Sequence, residues 1–205
     1  MKFEVFEGKE EKEVLTQALE TLKCTEEDIV TLVEKSKGGL LKKETVSMKV
    51  FKMEDITLFI KDYLHEITKG MGLDVSFESK IRDRQISIKM YSNNNSILIG
   101  HNGQTLKALT TIVKQVVYNE IKEYPYLLLD VENYKEKQEK YLERLARNVA
   151  RDVERTKVEV ELENMNSYER RIIHNALTDN KHVYTESIGE EPNRHIVIKP
   201  KNSEE

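Results

Sequence analysis

The chain has 205 residues and a net charge of −4, which is enough length for one large domain or two to three small ones. No apolar run approaches the ~20 residues of a membrane span and the amino end has no signal-peptide pattern, so we expect a cytoplasmic protein. The single cysteine, Cys24, excludes an internal disulfide and a zinc site built from several cysteines. The acidic balance also argues against a purely electrostatic nucleic-acid binder.

Residues 1–51 predict a small βαββ unit, because alternating and helical apolar spacings follow one another in that order. Its last two strands enclose the basic, glycine-containing loop Lys37-Gly38-Gly39-Leu40-Leu41. Such a loop is either a plain surface turn or a docking loop for a partner. The short stretch from Lys52 to Asp55 is expected to be a linker.

Residues 56–132 predict the order αββααβ. A one-faced helix begins at Ile56, two alternating strands follow, and a buried strand closes the segment at Leu127 to Val131. Between them a short helix meets a glycine turn, after which a second amphipathic helix begins near Gln104.

The glycine turn is the candidate binding feature of this segment; its residues are Gly100, His101, Asn102, Gly103 and Gln104. Glycines without Cβ atoms allow a sugar-phosphate backbone to approach the main chain closely. The helix that follows directs its free N–H groups and positive dipole end at whatever binds there. A helix-turn-helix packed by the same residues is the alternative for this stretch taken alone.

Residues from 133 onward hold seven of the nine arginines and predict the order αβαββ. A long helix from Tyr134 to about Arg155 carries apolar residues on one face and arginines on the opposite face, including Arg147 and Arg151. That charged face is either a solvated, salt-bridged surface or an extension of a phosphate-binding patch.

The second helix of this segment is expected to begin at Asn166 or Ser167 and to bury a face formed by Tyr168, Ile172 and Ala176. Arg170 and His174, four residues apart, are expected to face water together on its other side. Such a pair could hold one phosphate, or the guanidinium could stack on a base. Arg194, just before the closing strand, is a weaker candidate.

These patterns resemble three known domains. Residues 56–132 resemble a type II KH domain, in which a Gly-x-x-Gly loop grips about four unpaired nucleotides. The resemblance places the bases between Ile97/Ile99 and the closing strand, although His and Asn stand where many KH loops carry a basic residue. The run from Tyr168 to His174 resembles the R-3-H family, named for Arg-x-x-x-His, whose domains bind single-stranded nucleic acid.

The three pieces in this order resemble the bacterial Jag (SpoIIIJ-associated) family. The implied fold class is α+β, with a Jag N-terminal domain at 1–55, a KH domain at 56–132 and an R-3-H domain at 133–205. The resemblance implies a cytoplasmic protein that binds single-stranded RNA or single-stranded DNA. It also implies pairing with a small KH protein or a second copy, and association of the N-terminal domain with the membrane insertase and with the control of cell-envelope growth.

No catalytic motif, cofactor-binding pattern or metal-ligand cluster stands out in the sequence, so we expect a protein that is not an enzyme and needs no cofactor. The alternative to RNA binding is a protein-interaction adaptor at the insertase or the cell-wall machinery. In that case the N-terminal domain would make the functional contacts and the other two domains would serve as scaffolding.

Overall fold

The structure is a computed structural model that describes residues 1–36 and 45–201. Two compact units make up the chain, Met1–Glu132 and Asn133–Glu205. The Lys37-Gly38-Gly39-Leu40-Leu41 loop lies outside the described residues. The expected α+β class is confirmed, and the domain boundaries at residues 55 and 132 stay predictions.

The first unit begins with the expected βαββ arrangement. Its elements are β1 (Glu4–Gly8), α1 (Glu11–Leu22), β2 (Ile29–Ser36) and β3 (Thr45–Lys52), with a single 3-10 turn at Glu26–Asp28 before β2. The three strands are antiparallel in the order β1-β3-β2. Val14 and Ala18 of α1 pack on Met48 and Val50 of β3, which explains the helical spacing of the apolar residues in α1.

The αββααβ order of the next segment is also confirmed. Its elements are α2 (Met53–Gly70), β4 (Val75–Arg82), β5 (Gln85–Ser92), α3 (Asn95–Ile99), α4 (Gln104–Ile121) and β6 (Tyr126–Val131). In the sheet order β4-β5-β6, β4 runs antiparallel to β5 and β6 runs parallel to it. Alternate residues of β5, such as Ile86 and Ile88, are fully buried.

The linker expected from Lys52 to Asp55 is wrong. Strand β3 ends at Lys52 and α2 begins at Met53, so no loop separates them. Met53 is buried, and Glu54 and Asp55 lie in the first helical turn, where negative charge is favourable to the helix dipole. Met53 also lines a cavity of only about 10 Å³ together with Val30 of β2, so the βαββ part packs closely on the following helices.

The second unit has the expected αβαββ order. Its elements are α5 (Tyr134–Thr156), β7 (Val160–Glu161), α6 (Ser167–Leu177), β8 (Val183–Ile188) and β9 (His195–Pro200). The antiparallel sheet has the order β7-β9-β8, which leaves β8 on an edge. Both helices pack on one face of this sheet around Ile173 and Ile198, which are fully buried.

Within the described residues, none of the helices combines the length and the apolar content that a membrane crossing requires.

Candidate nucleic-acid interface

The glycine turn has the predicted position between two helices. Helix α3 ends where the Gly100 N–H donates to the Ser96 carbonyl (2.8 Å), a single 3-10 turn covers His101–Gly103, and α4 begins at Gln104. Gly100 has φ +71° and ψ 179°, a conformation that is essentially restricted to glycine. A Cβ on Gly100 would lie 2.9 Å from the Thr105 amide nitrogen. Packing of α3 on the start of α4 is therefore the first reason for a glycine at position 100. From the sequence alone, the expected reason was the close approach of a ligand to the main chain.

The tip of the turn presents polar groups and backbone. His101 and Gln104 are exposed, while Asn102 and Gly103 are half-buried. Asn102 adopts φ +49°, and the nitrogen of its side-chain amide, Nδ2, lies 3.4 Å from the His101 Nε2. The N-cap residue of α4 is Gly103, which has no side chain to cap the helix, and no acidic residue occupies the first turn of α4. The positive dipole end of an 18-residue helix thus faces this turn, which suits an anion, although the Gln104 N–H already donates to the His101 carbonyl.

The predicted base-binding groove lies between Ile97/Ile99 and strand β6. Ile97 is 43% exposed and Ile99 is half-buried, in agreement with a groove wall beside the turn. Leu127, Leu129 and Val131 are buried in the core, and the position of the bases beside this strand stays a prediction. Because side chains alternate along a strand, the solvent face of β6 carries Tyr126 and Leu128 instead.

Helix α6 begins at the predicted cap. The Asn166 Oδ1 accepts from the Tyr168 and Glu169 N–H groups, and the Glu169 carboxylate accepts from the Asn166 N–H (3.0 Å). The buried face, however, is centred on Ile173 rather than on Ile172. At 100° per residue this places Tyr168 about 140° from the centre, so Tyr168 is 52% exposed and its predicted burial is wrong.

The same rotation of the helix buries Arg170, whose expected exposure to water is wrong. Arg170 is only 9% exposed, and its Nη1 donates to the Met165 carbonyl (2.7 Å) and to the Glu191 carboxylate (2.9 Å). Because the Arg170 side chain is also only 10% exposed, little of the guanidinium is open to a phosphate or a base. Arg170 therefore joins the start of α6 to the loop between β8 and β9.

That loop carries Arg194, the weaker candidate of the sequence analysis. The Met165 N–H donates to the Arg194 carbonyl (3.1 Å). Both backbone polar groups of Met165 are therefore bonded, the N–H to the Arg194 carbonyl and the carbonyl to the Arg170 guanidinium. The Arg194 Nε donates to the Ser187 hydroxyl (3.0 Å). Arg194 is consequently fixed at both its backbone and its side chain, on the surface of the unit.

His174 lies beside the same strand. It is exposed, and its Nδ1 is 2.6 Å from the Thr185 hydroxyl oxygen. Thr185 and Ser187 are two residues apart on one face of β8, which corresponds to about 6.7 Å along a strand. His174 and Arg194 are thus held next to each other along an edge strand; we call His174, Arg194, Thr185 and Ser187 the β8 edge.

Arg147 and Arg151 belong to neither group. Both are exposed on α5, where the Arg147 Nη2 donates to Glu143 (3.1 Å) and the Arg151 Nη2 donates to Asn148 (2.6 Å). These bonds stay within α5, where Arg151 lies about 140° around the helix from the buried Ala146 and Arg147 lies at the edge of the buried face, about 60° from Ala150. This face therefore points outward as predicted, and within the part of the chain that the structure describes the hydrogen bonds of Arg147 and Arg151 stay on α5.

Comparison with known proteins identifies the family. The sequence matches the KH domain of the KhpA and KhpB proteins over residues 57–127 and the R-3-H domain over residues 140–200. It is 37% identical over 192 residues to the RNA-binding protein KhpB of Clostridium symbiosum, covering 91% of this chain and 86% of that protein. The chain belongs to the KhpB (Jag) family.

Two further KhpB proteins extend this finding. The RNA-binding protein KhpB of Bacillus subtilis is 31% identical over 201 residues, which is 95% of this chain and 96% of that protein. The protein of the same name from Lactiplantibacillus plantarum is 32% identical over 137 residues, or 67% of this chain and 42% of that longer protein. The predicted resemblance to the Jag family is confirmed, and the two matched domains are not enzyme families.

The sequence analysis missed the residues that position the candidate groups. Glu191 and Met165 hold Arg170, and Thr185 and Ser187 hold His174 and Arg194. The Thr-x-Ser spacing on a predicted strand was a usable signal, because it places two hydroxyls on one face. The pairing of Arg170 with Glu191 had no comparable signal, since it depends on a loop returning to α6.

Proposed function

We propose that this chain binds single-stranded RNA at two sites, one in each compact unit. The first is the turn formed by Gly100, His101, Asn102 and Gly103 with the start of α4 at Gln104. The second is the β8 edge, where His174 and Arg194 contact phosphates and Arg170 positions Arg194 without touching RNA. Single-stranded DNA of the same geometry is the competing ligand. The proposal rests on family membership and, for the second site, on one arrangement: His174 and Arg194 are each bonded to a hydroxyl of β8, and the two hydroxyls are two residues apart, about 6.7 Å along a strand.

The chemistry of the two sites differs. The first offers main-chain N–H groups and a helix dipole, which position a phosphate but add no formal charge at the turn tip. The second offers the guanidinium of Arg194, whose five donors leave several free after the bond to Ser187. Each site is weak alone, and the covalent connection between the units raises the affinity for an RNA that reaches both.

We further propose that the protein is cytoplasmic and carries out no catalysis. Its protein partners would be a small KH protein or a second copy, through KH pairing, and the membrane insertase, through the N-terminal domain. Its cellular role would be regulation linked to cell-envelope growth. Support for these partners and this role comes from the resemblance to the Jag family alone.

A titration of fluorescent single-stranded RNA at two salt concentrations tests the proposal, with a duplex of the same sequence for comparison. His101→Asp with Asn102→Asp adds two negative charges at the turn and should weaken binding. Asn93→Asp with Asn119→Asp adds the same charge on exposed positions of the same unit and should have little effect. Binding of duplex that equals binding of single strand would refute the proposal.

The second site is tested in the same assay with Arg194→Gln. Its log–log salt slope should become shallower by about 0.7, the value for one phosphate contact on a single strand. Arg171→Gln, an exposed arginine on α6, is the matched control. Wild-type protein that binds no RNA would favour the adaptor function over RNA binding.

A further inference from the structure

A basic surface on α5 shares no residue with either proposed site. It forms a shallow groove of about 220 Å³ lined by Lys140, Glu143, Arg144, Arg147, Asn148 and Arg151. Four of these six side chains are cationic and one is acidic, in a chain whose net charge is −4. We call Lys140, Arg144, Arg147 and Arg151 the α5 ridge.

The position of the ridge on the helix leaves it open to solvent. At 100° per residue, Arg144, Arg147 and Arg151 lie within about 60° of one another. Arg144 and Arg151 lie about 160° and 140° around the helix from Ala146, and Arg147 lies about 100° from it. Ala146 is fully buried, whereas the three arginines are exposed. Hence packing of the second unit does not account for their presence.

The guanidinium groups are partly fixed before any ligand arrives. Arg147 donates to Glu143 (3.1 Å), and Arg151 donates to Asn148 (2.6 Å) and to the Arg147 carbonyl (3.4 Å). Each guanidinium has five N–H donors, so others stay available for a phosphate. Less side-chain entropy is lost when a side chain that is already held binds a ligand.

An exposed aromatic ring flanks the ridge. Tyr141 precedes Arg144 by three residues, which makes the two side chains neighbours on the helix surface, and Tyr141 is 50% exposed. Stacking of bases on exposed aromatic rings next to basic groups is the usual way in which proteins bind unpaired nucleic acid. The ridge spans ~16 Å from Lys140 to Arg151 at 1.5 Å per residue, enough for several nucleotides.

We propose that the α5 ridge and Tyr141 form a third RNA-binding surface, on which guanidinium groups contact successive phosphates and the tyrosine stacks on a base. This inference rests on the proposed function, since it gives the same RNA a further contact. Arginine rather than lysine dominates the ridge, which suits phosphodiester groups because the planar fork binds two oxygens at once.

The test uses the full chain and a fluorescein-labelled single-stranded oligouridylate at ~50 and ~200 mM salt, a range in which phosphate contacts dominate affinity changes. The triple variant Arg144→Gln, Arg147→Gln, Arg151→Gln should bind more weakly, with a salt slope shallower by about 2. The matched triple variant Lys2→Gln, Lys9→Gln, Lys12→Gln changes three exposed charges in the first unit and should keep the wild-type slope.

Tyr141 supplies a second, independent measurement. Tyr141→Ala should weaken binding roughly 5- to 100-fold with an unchanged salt slope, and Tyr141→Phe should restore the affinity, because stacking needs only the ring. A ridge variant that binds RNA with the wild-type affinity and slope would overturn the inference while the proposed function stands. Wild-type protein that binds no oligouridylate would overturn both. Sedimentation with phosphatidylserine vesicles that depends on the ridge, with RNA affinity unchanged, would assign the ridge to membranes and also refute it.

Discussion

Replacing Arg170 separates a positioning role from a direct contact with RNA. Its guanidinium lies between the Met165 carbonyl and the Glu191 carboxylate, and Met165 in turn bonds the Arg194 backbone. Arg170→Met keeps much of the aliphatic packing and removes both polar contacts. We expect the loop that carries Arg194 to loosen, and RNA affinity to fall because Arg194 is displaced.

The size of the effect follows from the burial of each partner. A buried carbonyl such as that of Met165, left without its donor, costs about 1–3 kcal/mol. The carboxylate of Glu191 is 62% exposed and returns to water, so loss of the ion pair adds at most about 1 kcal/mol. Arg170→Met should therefore cost about 3 kcal/mol of unfolding free energy in the second unit, and Glu191→Gln about 1 kcal/mol or less.

Amide hydrogen exchange and RNA titration measure the two consequences separately. In Arg170→Met the Met165 and Asn193 amides should exchange faster, whereas Arg171→Met, the exposed neighbour, should change neither property. Adding Arg170→Met to Arg194→Gln should cost little further affinity, because the first residue acts through the second. An Arg170→Met protein with unchanged exchange and stability but lost RNA affinity would refute a positioning role.

Three further predictions concern other parts of the chain. Gly100→Ala should destabilise the first unit by about 3 kcal/mol in urea unfolding, because the backbone there is essentially restricted to glycine and the new Cβ meets Thr105. In the same assay Gly103→Asn should cost under about 1 kcal/mol. Hydrogen bonds from the Thr25 N–H and hydroxyl lower the pKa of Asp28. The Asp28 carboxylate therefore stabilises the fold above the ordinary carboxyl pKa, and this stabilisation is lost as the pH falls through the pKa of Asp28 in the folded protein. Carboxyl NMR titration of Thr25→Ala should show the pKa of Asp28 rising. Burial, reinforced by Glu169, raises the pKa of Tyr134, so stability should fall as pH rises above about 10, and Tyr134→Phe should flatten that fall in pH-dependent melting curves.

Element order was predictable because each element carries a strong local signal. The spacing in α2 and the alternation in β4 and β5 identify their elements without knowledge of what packs against them. The cap of α6 at Asn166 was predictable for the same reason, since both partners of the capping box lie within three residues. The start of α2 was missed because Met53 is buried by distant residues that local spacing does not reveal.

The candidate site was less predictable because it depends on small rotations. Arg170 and His174 share a helix face by spacing, yet one is buried and the other exposed, since the core of α6 is centred one residue later than expected. The exposed residues of the strand beside the glycine turn were hard to predict for a related reason. Both faces of β6 carry leucines, so the sequence did not indicate which of them, Leu128 or its two neighbours, reaches solvent.

The distribution of charge between the two units gives the proposed binding mode its logic. The turn at His101 and Asn102 has no lysine or arginine and relies on the helix dipole and main-chain donors, which depend on geometry more than on ionic strength. Seven of the nine arginines belong to the second unit, so the salt dependence of binding should reside there, at Arg194 and on the α5 ridge. In the proposed binding mode, the glycine turn recognises the shape of the RNA backbone, and Arg194 with the α5 ridge supplies the positive charge. The charged contacts alone are too few for tight binding, so an acidic chain with this arrangement binds RNA without binding every polyanion.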